Sequence, residues 1–110
     1  SVEADESSSN PLVARLESFD PAGPLAGRSL IYEIVAPVFG DPAARTVELS
    51  DGALVDTVQT AADGTPSTPV VVRRIAGVAP PASVTVQVRG VQRRGTPVPG
   101  SGQAFTVLFF

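Results

Sequence analysis

The stretch VTVQVR, Val84–Arg89, has the strictest pattern in the chain, with valine at every second position. Successive side chains of a β-strand point to opposite faces of a sheet, so this alternation predicts a strand with one buried and one solvated face. The branched side chain of valine also packs well on a pleated surface. The pattern around this stretch therefore favours a β-fold over a helical one.

Turn-forming residues divide the rest of the chain into short segments. The 110 residues include 11 Pro and 10 Gly, and 43% are hydrophobic, mostly Val, Ala and Leu. Turns at such short intervals predict an all-β chain. Seven strands are predicted, over residues 12–19, 29–36, 45–50, 53–59, 70–76, 84–89 and 103–110. Seven short strands in about 100 residues favour a seven-stranded antiparallel β-sandwich.

The dipeptide Asp51-Gly52 is the clearest turn signal, because it separates two apolar-patterned runs. Such dipeptides adopt the positive φ angles that two-residue hairpin turns require. The sequence therefore predicts a β-hairpin here, with Leu49 directly across from Leu54.

One further segment carries a family resemblance. Ile75–Val88 (IAGVAPPASVTVQV) resembles the junction of the fifth and sixth strands of fibronectin type III domains, and Ser29–Pro37 (SLIYEIVAP) resembles their second strand. Ile34 and Val84 replace the family's core Trp and corner Tyr, so the resemblance is to fibronectin type III-like or immunoglobulin-like sandwiches. It implies sheets of three and four strands, a role in adhesion, spacing or display, and no catalysis.

Composition excludes several kinds of site. The chain has no Cys, His or Lys, so thiolate chemistry, the commonest zinc ligand and the usual activators of a serine nucleophile are absent. Asp51 and Asp63 each precede Gly in a turn, where Asp side chains bond their own backbone; Asp56 lies between them. We predict no catalytic residue, cofactor or metal site, and a protein that is not an enzyme.

The charges are unevenly distributed. The formal net charge is −3, and Glu3, Asp5 and Glu6 lie in the first ten residues, which leaves eight acids and eight arginines in the remainder. A neutral body lacks the basic field that phosphates require, so we expect no nucleic-acid partner. We also expect no membrane insertion, because no apolar run is long enough to span a bilayer. The sequence begins at Ser1 without Met, and export is favoured if a leader has been removed from it.

Residues 1–10 (SVEADESSSN) form a polar, acidic N-terminal arm, and residues 11–110 form a single predicted β-sandwich domain. Taken alone, the arm is too polar to fold. The alternative is that it docks on a neighbouring surface.

The final stretch QAFTVLFF, Gln103–Phe110, contains no charge and no proline. If it pairs with the preceding strand so that Gln92 lies near Gln103, then Val88 faces Val107, Val86 faces Phe109, Phe105 covers Gly90 and Arg89 lies beside Thr106. Leu108 and Phe110 then lie on the opposite face of a sheet edge. Uncharged edges of this kind favour pairing with another chain, so we expect a cover: another subunit, a larger assembly or the arm.

These observations predict a non-catalytic structural or interaction module. It would be a subunit or decoration protein of an extracellular, cell-surface or virion-surface assembly, in contact with other copies of itself or a larger assembly. The alternative is a carbohydrate- or protein-binding accessory domain of a secreted protein. The predicted partner-contact residues are Leu108, Phe110, Thr106, Arg89, Arg93, Arg94, Glu3, Asp5 and Glu6.

Overall fold

The computed structural model describes residues 1–19, 22–91 and 102–110. This part of the chain is all-β and its sheets are antiparallel. It contains eight strands rather than the predicted seven: β1 Glu17–Phe19, β2 Ala22–Pro24, β3 Ser29–Ala36, β4 Val47–Leu49, β5 Val55–Gln59, β6 Val72–Arg74, β7 Ser83–Val91 and β8 Gln103–Leu108. The additional strand is β2, which lies between the first two predicted strands.

The strands form one large and two small sheets. The large sheet has the order β5-β3-β7-β8, so β3 and β7 are central and β8 is an edge. The small sheets pair β4 with β6 and β1 with β2. β7 shows the predicted alternation, and in β3 too every second side chain is buried.

One hydrophobic core joins the large sheet to the β4–β6 pair. The large sheet contributes apolar side chains from β3, β7 and β8, and the rest of the core comes from β4, β6 and residues outside the strands. The buried residues of this core are Val2, Leu12, Ala14, Leu16, Leu30, Tyr32, Ile34, Val47, Leu49, Val70, Val72, Val84, Val86, Val88, Val107 and Phe109. Each large side chain removed from water contributes roughly 1.5–3 kcal/mol.

In the predicted first strand buried and exposed side chains alternate, but little of the segment pairs with another strand. Leu12, Ala14 and Leu16 are buried, whereas the residues between them are exposed. The N–H of Leu12 donates to Val70 O at 2.8 Å, and that of Leu16 donates to Gly64 O at 2.9 Å. Both acceptors lie in the connection between β5 and β6 rather than in a strand, so only Glu17–Phe19 pairs as a strand, with β2.

The predicted hairpin at Asp51-Gly52 is wrong. A turn is present, because Gly52 N–H donates to Leu49 O and Leu49 N–H donates to Ala53 O, both at 2.8 Å. However, β4 pairs with β6 and β5 pairs with β3, so the turn carries the chain from one sheet to the other. Leu49 therefore faces Ala53 rather than Leu54. A turn dipeptide determines a reversal of the chain, but not which strands pair beyond it.

The predicted register of the terminal strand is shifted by four residues. Val107 pairs with Val84 rather than Val88, and Val86 pairs with Phe105 rather than Phe109. Because side chains alternate with a period of two, an even shift leaves every residue on its predicted face. Val107 and Phe109 are therefore buried as expected, although their partners differ. The predicted neighbour Gln92 lies outside the described residues.

The same shift changes what covers Gly90. Phe105 was expected there, but Leu16 occupies the space: a Cβ built on Gly90 would lie 2.6 Å from Leu16 Cδ1. The segment before β1 therefore supplies the side chain that fills this part of the core. Glycine permits the approach because it has no side chain of its own.

Candidate protein interface at the terminal strand

The N-terminal arm lies against the free edge of β8. Val2 N–H donates to Leu108 O at 2.6 Å, and Phe110 N–H donates to Val2 O at 2.9 Å. This forms a parallel bridge between Val2 and Phe109, and the Val2 side chain is fully buried. One of the covers that the sequence suggested for the terminal strand, the arm, is thus present at its end.

The other half of the arm pairs with β6. Ser9 N–H donates to Val72 O at 2.9 Å, and Val72 N–H donates in return to Ser9 Oγ at 3.0 Å. Arg74 N–H donates to Ser7 O at 2.8 Å. The arm has no apolar pattern of its own, so these bonds to an existing strand and the burial of Val2 hold it in place. Sequence reasoning missed this because Ser9 and its partner Val72 are 63 residues apart in the chain.

Arg74 joins the arm to the terminal strand. Its Nε donates to Glu6 O at 2.8 Å, and one terminal nitrogen donates to Glu3 O at 3.0 Å and to Phe110 O at 2.9 Å. The guanidinium carbon lies 5.2 Å from the centre of the Phe109 ring, within the range of a cation–π interaction. The planar fork of arginine suits this contact with several oxygens.

The two consecutive arginines of β6, Arg73 and Arg74, make different contacts. Successive strand side chains point to opposite faces, so Arg74 shares the core side with Val72 while Arg73 points away. Arg73 forms an ion pair with Glu48 of β4 at 3.2 Å. Arg74 is accommodated on the core side because it lies at the end of the strand, over Phe109 and the arm.

Three predicted contact residues lie together on the outer side of β8. Thr106, Leu108 and Phe110 are all exposed, and the exposed fractions of Leu108 and Phe110 are 45% and 64%. The arm bonds the backbone beside them but leaves these side chains in solvent. An apolar pair at a sheet edge is the kind of surface that a protein partner covers.

Arg89 is not part of this group. Thr106 lies opposite Thr85, whereas Arg89 lies one residue beyond the Val88–Gln103 pair, towards the other end of the strand. The predicted pairing of Arg89 with Thr106 is therefore wrong. Arg89 instead forms an exposed ion pair with Glu33 at 3.6 Å. Arg93 and Arg94 lie outside the described residues.

The three acidic residues of the arm remain on the surface. Glu3, Asp5 and Glu6 are exposed, and Glu6 Oε1 accepts the N–H of Glu3 at 2.9 Å. Arg74 is bound through main-chain oxygens of the arm rather than through these carboxylates. The end of the β8 edge near Phe110 therefore carries negative charge.

The turn aspartates have the structural role that the sequence indicated. Asp51 Oδ1 accepts the N–H of Ala53 at 3.1 Å, and Asp63 Oδ1 accepts both the N–H and the hydroxyl of Thr65, at 3.1 and 2.6 Å. The hydrogen bonds from Thr65 hold the pKa of Asp63 below its ordinary value. Within the described residues, no cluster of three acidic or other ligating side chains is suited to a metal ion.

Two other polar groups are enclosed in the core region, and sequence analysis gave neither a role. Tyr32 is fully buried and its hydroxyl donates to Leu12 O at 2.7 Å. Asp56 lies opposite Tyr32 on the adjacent strand β5. It is 9% exposed and accepts a hydrogen bond from Ser50 Oγ at 3.2 Å. Burial raises the pKa of Tyr32. Burial also raises the pKa of Asp56, and the charge of Asp51 adds to that increase.

A separate groove lies beside the loop between β3 and β4. It has a volume of about 570 Å³, and its lining includes Val38, Phe39, Leu54, Val55 and Arg45. The Arg45 guanidinium is engaged by protein oxygens, with bonds of 2.9 Å to Pro42 O and 2.7 Å to Gly52 O. These bonds tie the loop to the Asp51-Gly52 turn, so the arginine is a structural element of the groove wall.

Comparison with protein-family models, with curated proteins and with solved structures found no match for this chain. In the part of the chain that the structure describes, no helix has the length and apolar character needed to cross a membrane.

Proposed function

We propose that this chain is a non-catalytic interaction module that contacts other protein through the outer side of β8. The observation that carries the proposal is the exposure of Leu108 and Phe110, by 45% and 64%, beside a sheet edge. Burial of such side chains against a partner removes them from water and so stabilises the complex. The setting we propose is an extracellular, cell-surface or virion-surface assembly, in which the module is a subunit or decoration protein.

We further propose a fibronectin type III-like or immunoglobulin-like sandwich. Immunoglobulin sandwiches place strands C, F and G side by side, and variable-type domains add C′ beyond C. The order β5-β3-β7-β8 corresponds to C′-C-F-G, an order that supports a sandwich of this general kind. In that scheme β3 is the third strand rather than the second strand suggested by its sequence resemblance. The position of β4 differs, because β4 precedes β5 in the chain and pairs with β6.

The alternative of a carbohydrate-binding module has less support. Sugar sites commonly present exposed aromatic rings. Tyr32 is the only tyrosine, the chain has no Trp, and the ring of Tyr32 is fully buried with its hydroxyl bonded to Leu12 O. A glycan array with the full chain would test this alternative, and saturable binding would favour it over a protein partner.

The proposed interface is tested with a double variant, Leu108→Ser/Phe110→Ser. Light scattering coupled to chromatography would follow self-association, and co-sedimentation would follow binding to the assembly with which the chain co-purifies. We expect association to weaken at least about tenfold, because two large apolar side chains are lost from the contact. Val13→Ser/Val38→Ser is the matched control, since both valines are exposed and lie away from β8.

Equal loss of association in the control would mean that the effect is not specific to β8. The proposal fails if the double variant and the unmodified chain associate equally, or if neither self-associates and neither binds the assembly.

A further inference from the structure

The outer edge of β8 is open along most of its length. The N–H of Phe109 points inward and donates to Ala82 O at 2.9 Å, whereas Leu108 O and Phe110 N–H point outward to Val2. Main-chain groups of an antiparallel strand alternate in direction, so Ala104 and Thr106 also direct their N–H and C=O groups outward. Among the described residues, only Val2 pairs with this edge.

The opposite edge of the same sheet is protected. β5 carries Asp56, an inward-pointing residue that is 9% exposed, and an inward charge is a known device against edge pairing. β8 has no such device: Gln103–Leu108 contains no charge and no proline, and it pairs with β7 over six residues without a bulge. The molecule therefore has one protected edge and one edge suited to a further strand.

We propose that β8 pairs in antiparallel orientation with β8 of a second copy, joining the two four-stranded sheets into one continuous sheet. This inference rests on the proposed function and names its partner. Val2 already demonstrates that the edge accepts an extended segment through main-chain hydrogen bonds. Ala104 and Thr106 supply the corresponding groups for the second copy, and their small side chains place no bulk beside the edge.

Charge selects the antiparallel orientation. The acidic arm lies at the Phe110 end of β8, with Glu3, Asp5 and Glu6 exposed. A parallel pair would bring two acidic arms to the same end, where like charges repel. An antiparallel pair about a two-fold axis places the two arms at opposite ends of the joint and so separates them. The β8 strands themselves contain no charges that would oppose one another.

Charge substitution at Thr106 tests the pairing. Thr106→Lys and Thr106→Glu each place like charges near the two-fold axis, so we expect each to weaken self-association at least about tenfold in sedimentation velocity. An equimolar mixture of the two variants should restore association, because opposite charges then meet. Thr57→Lys is the matched control: Thr57 is an exposed threonine of β5, at the far edge of the same sheet.

Hydrogen exchange gives a second readout that does not depend on a substitution. The Thr106 amide should become protected as the concentration of the unmodified chain increases, since its N–H then donates to the second copy. The Val107 amide serves as the internal reference, because it faces β7 and should be protected at all concentrations.

The inference is overturned if the unmodified chain stays monomeric at millimolar concentration. It is also overturned if Thr57→Lys weakens association as much as Thr106→Lys, or if mixing the charge variants restores nothing. A monomer that still binds its assembly through Leu108 and Phe110 would contradict this pairing and leave the proposed function standing. Self-association that is insensitive to Leu108→Ser/Phe110→Ser but sensitive to Thr106→Lys would contradict the proposed function instead.

Discussion

The guanidinium carbon of Arg74 lies 5.2 Å from the centre of the Phe109 ring. The same guanidinium donates hydrogen bonds to the main-chain oxygens of Glu3 and Phe110. It thereby connects β6, the N-terminal arm and the terminal strand. The edge that we propose as an interface is therefore organised by a residue that contacts Phe110 through its main-chain oxygen.

We predict that Arg74→Ala lowers the free energy of unfolding by about 1–3 kcal/mol, the scale of lost charge-assisted hydrogen bonds and a cation–π contact. Urea denaturation would measure it. Arg74→Lys should recover only part of the loss, because a point charge cannot bond three oxygens in one plane. Arg15→Ala is the control, since its ion pair with Glu17 is exposed and we expect less than about 0.5 kcal/mol.

Hydrogen exchange would identify the part of the molecule affected by Arg74→Ala. The Ser9 and Phe110 amides, which hold the arm to β6 and β8, should exchange faster in the variant. Unchanged protection at both amides would contradict the role given to Arg74.

Gly90→Ala should destabilise the fold by about 1–3 kcal/mol, because the new methyl group would lie 2.6 Å from Leu16 Cδ1 in a packed core. Thermal or urea unfolding would measure the change. Gly40→Ala is the control, since nothing lies within 4 Å of a Cβ built there and its φ is not positive. Combining Gly90→Ala with Leu16→Ala should cost less than the sum of the single substitutions, because the two sites share one space.

Asp56→Asn should remove a pH dependence of stability. Burial raises the pKa of Asp56 in the folded state, so its favourable contribution is present below the unfolded pKa and is lost as the pH rises through the folded pKa. At neutral pH the variant should therefore be more stable than the unmodified chain, by on the order of 1 kcal/mol. Unfolding titrations between about pH 3 and pH 8 would measure the difference.

Asp63→Asn should alter the pH dependence of stability in the opposite direction, measured in the same experiment. Hydrogen bonds from Thr65 lower the pKa of Asp63, so its contribution is present above the unfolded pKa and is lost as the pH falls through the folded pKa. Identical pH profiles for the two variants would show that neither shift is coupled to folding.

Tyr32→Phe should lower the free energy of unfolding at neutral pH by about 1–3 kcal/mol, because Leu12 O would lose its buried donor. The difference in the free energy of unfolding between Tyr32→Phe and the unmodified chain should become smaller at alkaline pH. Burial raises the pKa of Tyr32, so the contribution of the neutral hydroxyl is present below the unfolded pKa and is lost as the pH rises through the folded pKa. Urea titrations from neutral pH to about pH 11 would test this, and a constant difference would contradict it.

Much of the local structure was predictable from the sequence. The bounds of β3, Ser29–Ala36, match the predicted segment, and Val84, Val86 and Val88 are buried as their alternation indicated. Leu108 and Phe110 are exposed as predicted. Each of these features depends on the residue pattern within a single segment, which nearby residues determine.

The pairing of segments distant in the chain was not predictable in the same way. The Asp51-Gly52 turn has the expected residues, yet its two strands join different sheets. The terminal strand is on its predicted face but four residues out of its predicted register. Local alternation is satisfied equally by any even shift, so the choice depends on which long-range contacts fill the core, such as Leu16 against Gly90.

The sequence by itself therefore determined an all-β chain, the faces of its strands and the exposed apolar pair at the end of β8. Only the tertiary structure decided the strand order, the docking of Val2 and Ser9, and the role of Arg74. The physical reason is that alternation and turn residues act within a few positions. A polar arm without an apolar pattern of its own takes its conformation from strands that the fold brings beside it.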